Sequence, residues 1–281
     1  MTPDAERPLP RFAQGALYRA LPGSRRETYW IQQFRDLTLV GLPGGLVQVL
    51  ACDSNASIGE KPNDALAKPH RATGFSAAKV PLMEVLASGA SPLILVDVLC
   101  VEWDPSGREI LEGIRASLAS ISLDIPIITG STEDNMRTTQ TGVGIVVLGI
   151  ARTEDLRLAC TPAQSEVLAV GVPHNGASHP YQEDDPDIAR LSTVMALRQL
   201  ADVHEILPVG SHGAAHELRL LAETNGLQLV PSRTSEFPLH ESAGASTCVL
   251  ATAPRGYAAR VERHTGLPVT VVGTLAGPST G

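Results

Sequence analysis

Apolar residues in this 281-residue sequence fall into runs of strand length separated by stretches of helical spacing, and the alternation is traversed twice. A chain patterned this way folds as strands and helices mixed in layers, an α/β (α+β) architecture, rather than as a helical bundle or an all-β sandwich. In the first pass, two apolar runs over 37–52 flank Pro43-Gly44-Gly45, a hairpin signal, and the second run ends on Asp53. A polar loop over 54–69 leads to helical spacing over 74–88, interrupted by Pro81 and closed by Gly89. A continuous apolar strand over 93–101 then carries a single acid, Asp97. It is followed by an amphipathic helix over 110–121, a strand over 125–129, a polar loop over 130–139 and a strand over 142–150. The second pass has strands near 166–172, 204–209, 227–230, 246–252 and 269–272, with helices over 188–201, 213–225 and 256–264. The length suits two domains, expected at 1–155 and 156–281, with residues 1–30 as a lead-in arm.

Composition narrows the function by exclusion. With 43% hydrophobic and 19% charged residues the chain is ordinary globular material, and no stretch approaches the roughly 20 apolar residues of a membrane span. The first residues lack an apolar signal core, so the expected location is the cytoplasm. A net charge of −8 without a basic tract leaves no footprint for nucleic acid. Cys52, Cys100, Cys160 and Cys248 are far apart and form no C-x-x-C pair, so buried free thiols are expected. There is no Gly-Lys dipeptide, hence no P-loop; Gly142-Val143-Gly144 lacks the third glycine of a dinucleotide fingerprint; and no serine carries glycine two positions away on both sides. His212 and His216 share a helix face at i, i+4, as metal ligands do and as capping or solvated histidines also do.

Three loops concentrate acids and small residues. They are 53–62, with Asp53, Gly59 and Lys61; 89–97, with Asp97; and 129–135, with Gly130, Ser131, Thr132, Glu133, Asp134 and Asn135. Phosphoryl transfer wants this set, because carboxylates hold Mg²⁺ while Gly, Ser and Thr offer backbone N–H and hydroxyl donors to phosphate. Only three of the 22 basic residues are lysines, Lys61, Lys68 and Lys79, all in one short window. A compact point charge is what a phosphate site takes from lysine. Asp97 either orients an acceptor hydroxyl or is a structural acid on a buried strand. Gly210-Ser211-His212-Gly213 opens a helix whose N–H groups favour an anion or a sugar hydroxyl.

Gly89-Ala-Ser-Pro-Leu-Ile-Leu-Val-Asp97 resembles the G-A-x-P-…-D pattern of aminoimidazole ribonucleotide synthetase and thiamine-monophosphate kinase, and Thr129-Gly-Ser-Thr132 resembles their G-G-[acid]-T loop. Asp53, Gly59-x-Lys61 and Gly213-Ala-Ala-His-Glu-Leu218 follow in the same order, so the resemblance spans most of the chain. Within that superfamily, the runs 51–61, 82–86, 129–135, 208–213 and 242–246 most closely resemble α-ribazole kinase. The resemblance implies the two-domain synthetase-like fold, ATP and Mg²⁺ as cofactors, a neutral nucleoside acceptor phosphorylated on its 5′-hydroxyl, and a homodimer paired through the first domains. Mg²⁺ is expected on Asp53 together with one or more of Asp36, Glu84 and the Glu133/Asp134 pair. Lys61, Gly130, Ser131, Thr132, Asn135, Gly210, Ser211 and His212 are implied as nucleotide contacts, with Asp53, Lys61 and Asp97 as the catalytic set. Three positions depart from the thiamine-monophosphate kinases, where Glu84, Ser131 and His212 each replace an Asp. Those departures keep open another activity of the superfamily, thiamine-monophosphate kinase-like or ring-closing ligase, and a nucleotide-binding accessory protein without turnover.

Overall fold

The computed structural model describes residues 17–19, 28–176 and 180–277; most of the lead-in arm therefore lies outside the described residues. The first half contains β1 (Leu17–Arg19), β2 (Thr28–Phe34), β3 (Leu37–Leu42), β4 (Leu46–Ala56), β5 (Ile58–Gly59) and β6 (Leu66–Ala67). These are followed by α1 (His70–Ala87), β7 (Ser91–Leu99), α2 (Arg108–Ala119), β8 (Ile127–Thr132) and β9 (Gly142–Arg152). The second half adds β10 (Ser165–Gly171), α3 (Leu191–Gln199), β11 (Ile206–Pro208), α4 (Ala214–Asn225) and β12 (Gln228–Pro231), then β13 (Cys248–Ala253), α5 (Ala258–Thr265) and β14 (Val269–Ala276). Strands β1-β2-β3-β4-β9-β7-β8 form one sheet and β11-β13-β10-β14-β12 a second; β5 and β6 pair in parallel beside the first.

The two sheets solve burial differently. In β3, in β4 as far as Ala51 and in β9 as far as Ala151 buried and half-buried residues alternate, so one face of the first sheet packs on α1 while, among the described residues, the other has no helix over it. In β10 nearly every residue is buried, because Leu168 and Val170 join the core shared with α1 and α3 while Val167 and Ala169 pack toward α4. Helix α1 lies between the halves and is buried on most sides, which is why its apolar residues show no single stripe. Helix α2 covers it with Ile110, Ile114 and Leu118, each side chain contributing about 1.5–3 kcal/mol on burial. The crossing is close because it is made through glycine: a Cβ on Gly74 would lie 2.0 Å from the Ile110 carbonyl oxygen, and one on Gly113 would lie 1.9 Å from that of Arg71.

Three expectations change. Strand β4 does not end at Asp53 but continues to Ala56, because β9 pairs with it down to Gly142. Gly130, Ser131 and Thr132 are not a loop; they extend β8 and pair in parallel with Asp97, Val98 and Leu99. Of the four thiols only Cys248 is buried, since Cys52 falls on the helix-free face of its strand and Cys100 and Cys160 lie just beyond strand or turn ends. Among the described residues, no helix is long and apolar enough to cross a membrane.

Candidate functional site

Four acids from four elements meet where the second half packs on α1. Asp36 sits at the β2–β3 turn, Asp53 on β4, Glu84 on α1 and Glu217 in the first turn of α4. Burial, and then the negative charges of Asp36, Glu217 and Asp53, push the Glu84 carboxyl up to about 8. Burial and the charge of Asp36 push Glu217 up to about 7, against a lowering hydrogen bond from the Gly210 N–H. Asp53 is raised by burial and by Asp36 as well. One oxygen of Glu217, Oε2, is buried without a hydrogen-bond partner. Arg35 is the nearest cation, but its guanidinium is bound to Glu205 at 2.7 Å and to Thr224 at 2.6 Å. Ionising all four carboxylates together is thus disfavoured here. All four donors are hard carboxylate oxygens, the ligand chemistry of Mg²⁺. The four are not drawn tightly together, which suits an ion that keeps part of its water shell and takes only one or two carboxylates directly.

Asp97 shares a row with Asp53. Both pair in register with Ile145 of β9, so the two acids point to the same covered face, roughly 10 Å apart across two strand spacings. Burial raises the Asp97 carboxyl, partly offset by Arg115. A Cβ on Gly130 would lie 2.1 Å from Asp97 Oδ1, so Gly130 is glycine because this carboxylate occupies the space. Ser131 pairs with Val98 and, like it, is exposed on the helix-free face.

Lys61 lies elsewhere, in a cleft of about 380 Å³ beyond the ends of β4, β7 and β8, lined also by Glu102, Asp134, Asn135, Arg137 and Thr138. Its ammonium is hydrogen-bonded to Glu102. Burial alone would raise the Glu102 carboxyl, but the Lys61 and Ser106 hydrogen bonds win and hold it at about 2. Asp134 accepts from the Trp103 N–H at 2.8 Å and the Thr132 hydroxyl at 2.7 Å, while Glu133 accepts from the Asn135 and Met136 N–H groups. Glu133 and Asp134 therefore brace their own loop and are not brought to Asp53 and Glu84, because β8 carries the chain past the covered face before they occur. Gly210 reaches the acid cluster through Glu217, whereas Ser211 and His212 are exposed and the His212 ring lies 5.1 Å from that of His216.

The residue missed by sequence reasoning is Glu217. Its signal was present: Ala214, Leu218 and Leu221 mark the apolar face of α4, and Glu217 is an acid on that face. A second cavity of about 360 Å³ runs between the halves, lined by Asn55, Lys68, Thr73, Ser76, Tyr181 and Gly244 among others. At its wall Glu183 accepts from Ser76 at 2.7 Å and lies 3.7 Å from Lys68 and 3.6 Å from the buried Lys79, whose ammonium makes no hydrogen bond. Arg190 adds a third positive charge.

Residues 35–151 match the family model described as AIR synthase related protein, N-terminal domain. No curated protein matches the sequence. Among solved structures, thiamine-monophosphate kinase from Stenotrophomonas maltophilia superposes with a TM-score of 0.59 at 14% identity, over 88% of this chain and 89% of that one. HypE of E. coli gives 0.60 at 15% identity, over 82% and 80%. AaThiL complexed with AMPPCP and TMP gives 0.54 at 13% identity, over 89% and 84%. The mixed α+β architecture is thus that of the thiamine-monophosphate kinase and HypE structures.

Proposed function

We propose that this chain is a Mg-ATP-dependent kinase that phosphorylates a hydroxyl of a small molecule, with the 5′-hydroxyl of α-ribazole as acceptor. The observation that carries the reading is the convergence of Asp36, Asp53, Glu84 and Glu217 beside one cation, Arg35, whose guanidinium is already engaged by Glu205. These four would hold Mg²⁺, which when bound neutralises the phosphate oxygens of ATP. Lys61, hydrogen-bonded to Glu102, stands at the carboxyl ends of the strands, where open mixed sheets take their ligands. In this reading it meets the outer phosphates, helped by the Gly210-Ser211-His212 turn. Asp97 orients the acceptor. As the acceptor oxygen bonds to the γ-phosphorus, the bond to the β-phosphate oxygen breaks, and the hydroxyl proton leaves to a carboxylate or water. Positioning and charge carry such a rate, and no nucleophilic side chain is needed. The solved neighbour complexed with AMPPCP supports the choice of ATP. The helix-free face of the first sheet supports a homodimer, since Ile31, Val98 and Ile127 stand exposed on it.

One observation favours a second acceptor class. Two lysines, Lys68 and Lys79, flank the single carboxylate of Glu183 at the wall of the cavity between the halves, and Arg190, bonded to the Glu183 backbone carbonyl, adds its charge beside Lys79. An acceptor bearing an anionic group, as thiamine monophosphate does, would meet that excess. The test is direct: purified protein with Mg-ATP and α-ribazole should yield ADP and α-ribazole phosphate. Turnover of thiamine monophosphate instead moves the assignment to the second class. ATP binding that is indifferent to Mg²⁺, with no turnover of either acceptor, removes the kinase reading in favour of an accessory protein.

A further inference from the structure

Away from the acid cluster, the first turns of α1 and α2 and the loop between β5 and β6 bring Glu60, His70 and Glu109 together. One ligand atom from each lies within 4.8 Å of the other two. We propose that this trio is a binding site for one zinc-class divalent cation, held by His70 Nδ1 and the two carboxylates.

The distances decide between a metal site and an ordinary ion pair. His70 Nδ1 is 3.4 Å from Glu60 Oε2 and 3.8 Å from Glu109 Oε2, longer than the 2.7–3.2 Å of an N–H···O hydrogen bond. Two ligands at about 2.0–2.1 Å from one tetrahedral Zn²⁺ are separated by about 3.3–3.4 Å. Glu60 and His70 are spaced as co-ligands rather than as donor and acceptor, and Glu109 stands 3.8 Å from the same nitrogen, beyond hydrogen-bond reach. The His70 side chain is only 5% exposed, so its ring is fixed, while those of Glu60 and Glu109 are 51% and 37% exposed and leave an open side for water.

The far side of the ring has the partner a metal-binding imidazole requires. Nε2 lies 3.2 Å from Thr141 Oγ1, and that hydroxyl donates to Asp64 Oδ2 at 2.7 Å. With its proton committed to Asp64, the hydroxyl is free to accept from Nε2–H, which leaves the Nδ1 lone pair facing the carboxylates. The Glu60 N–H also points at Nε2 from 3.3 Å and favours the opposite tautomer, so a cation on Nδ1 selects between the two. Glu60 Oε2 additionally accepts the His70 N–H at 3.0 Å, which its remaining lone pairs permit. Charge balances: two carboxylates and a neutral imidazole match one dication. The scaffold is stiff because α1 and α2 touch through Gly74 and Gly113. A cation here ties both helices to the loop that carries Lys61, whose own N–H is held by Asp64 at 2.8 Å.

The full chain, stripped with chelator and titrated with Zn²⁺, should bind one equivalent that His70→Ala and Glu109→Gln each weaken by tenfold or more. Co²⁺ in place of Zn²⁺ should give visible bands of tetrahedral intensity that those variants lose. Glu109 is more than a third exposed, so its variant keeps the result readable should His70→Ala fail to fold. The histidine pair at 212 and 216 is the competing ligand set, so His212→Ala must retain the equivalent. Asp53→Asn must retain it too, which separates this site from the proposed Mg²⁺ site. Equal zinc affinity in wild type and both trio variants, or loss of the equivalent in His212→Ala alone, overturns the proposal.

Discussion

Glu205 and Glu217 are both buried glutamates in the second half of the molecule, and their environments push them in opposite directions. Glu205 is saturated: it accepts from Arg35 at 2.7 Å, from the Ala159, Cys160 and Thr161 N–H groups at 3.1 Å, and from the Thr161 hydroxyl at 2.6 Å. Burial alone would raise its carboxyl, but Arg35 and these donors hold it below the ordinary value. Glu217 has one N–H donor and one orphaned oxygen, and with Glu84 it faces two further acids. A buried acid with every lone pair engaged ties chain segments together, here the 159–161 connection between the sheets to the β2–β3 turn. A buried acid left short of donors marks the place where something else belongs.

Removing each kind of acid is the way to break this comparison. Glu205→Ala removes the carboxylate partner of Arg35 and the acceptor of the Ala159 and Cys160 N–H groups, leaving Thr161 N–H its bond to Asn225, and should cost about 3–5 kcal/mol. Urea unfolding measures it, and a loss under 1 kcal/mol would put Glu205 in the same class as Glu217. Asp53→Asn keeps shape and removes one charge from the acid cluster. It should leave the urea midpoint within experimental error of wild type while lowering Mg-dependent turnover by roughly 10²-fold or more. Equal turnover in wild type and variant would detach Asp53 from the chemistry. Gly130→Ala forces a methyl into the Asp97 carboxylate and should cost about 1–3 kcal/mol. Because Asp97 is displaced as well, its effect on turnover should exceed what partial unfolding explains at the assay temperature.

The sequence carried some of this contrast and not the rest, for physical reasons. The hairpin at Gly44-Gly45 and the α4 end at Gly226 were readable because positive φ leaves a local mark in glycine. The join of Asp36, Asp53 and Glu84 was readable only through the order of motifs, since three elements contribute to it. Lys61 could not be separated from Asp53 in advance. How far β4 runs beyond Asp53 is set by its pairing with β9, a partner about 90 residues away. Glu133 and Asp134 misled for the same reason, because parallel pairing of β8 with β7 turns an apparent loop into strand. Glu217 enters the cluster only when the second half docks on α1; its place on the apolar face of α4 marks a buried acid but not which acids it meets.

Proton linkage sharpens the comparison with the smallest expected effect. Folded Glu84 titrates near 8 and folded Glu217 near 7, both above the ordinary value of 4.5. The native state therefore holds more protons than the unfolded chain between those limits, so the stability these groups contribute is complete below about pH 4.5 and is lost as pH rises through 7 and 8. Without divalent ions, Glu84→Gln should remove the upper part of that fall and leave the protein about 1–2 kcal/mol more stable than wild type at pH 8.5, with no gain at pH 5. In a chain of this size that is about 2–4 °C in Tm per kcal/mol. Mg-ATP favours the charged carboxylates, so its binding should release protons at pH 7 and tighten toward pH 8. Calorimetry in two buffers of different ionisation enthalpy reads that release directly. Glu84→Gln should reduce it, and Glu205, already ionised in the folded protein, should contribute nothing to it.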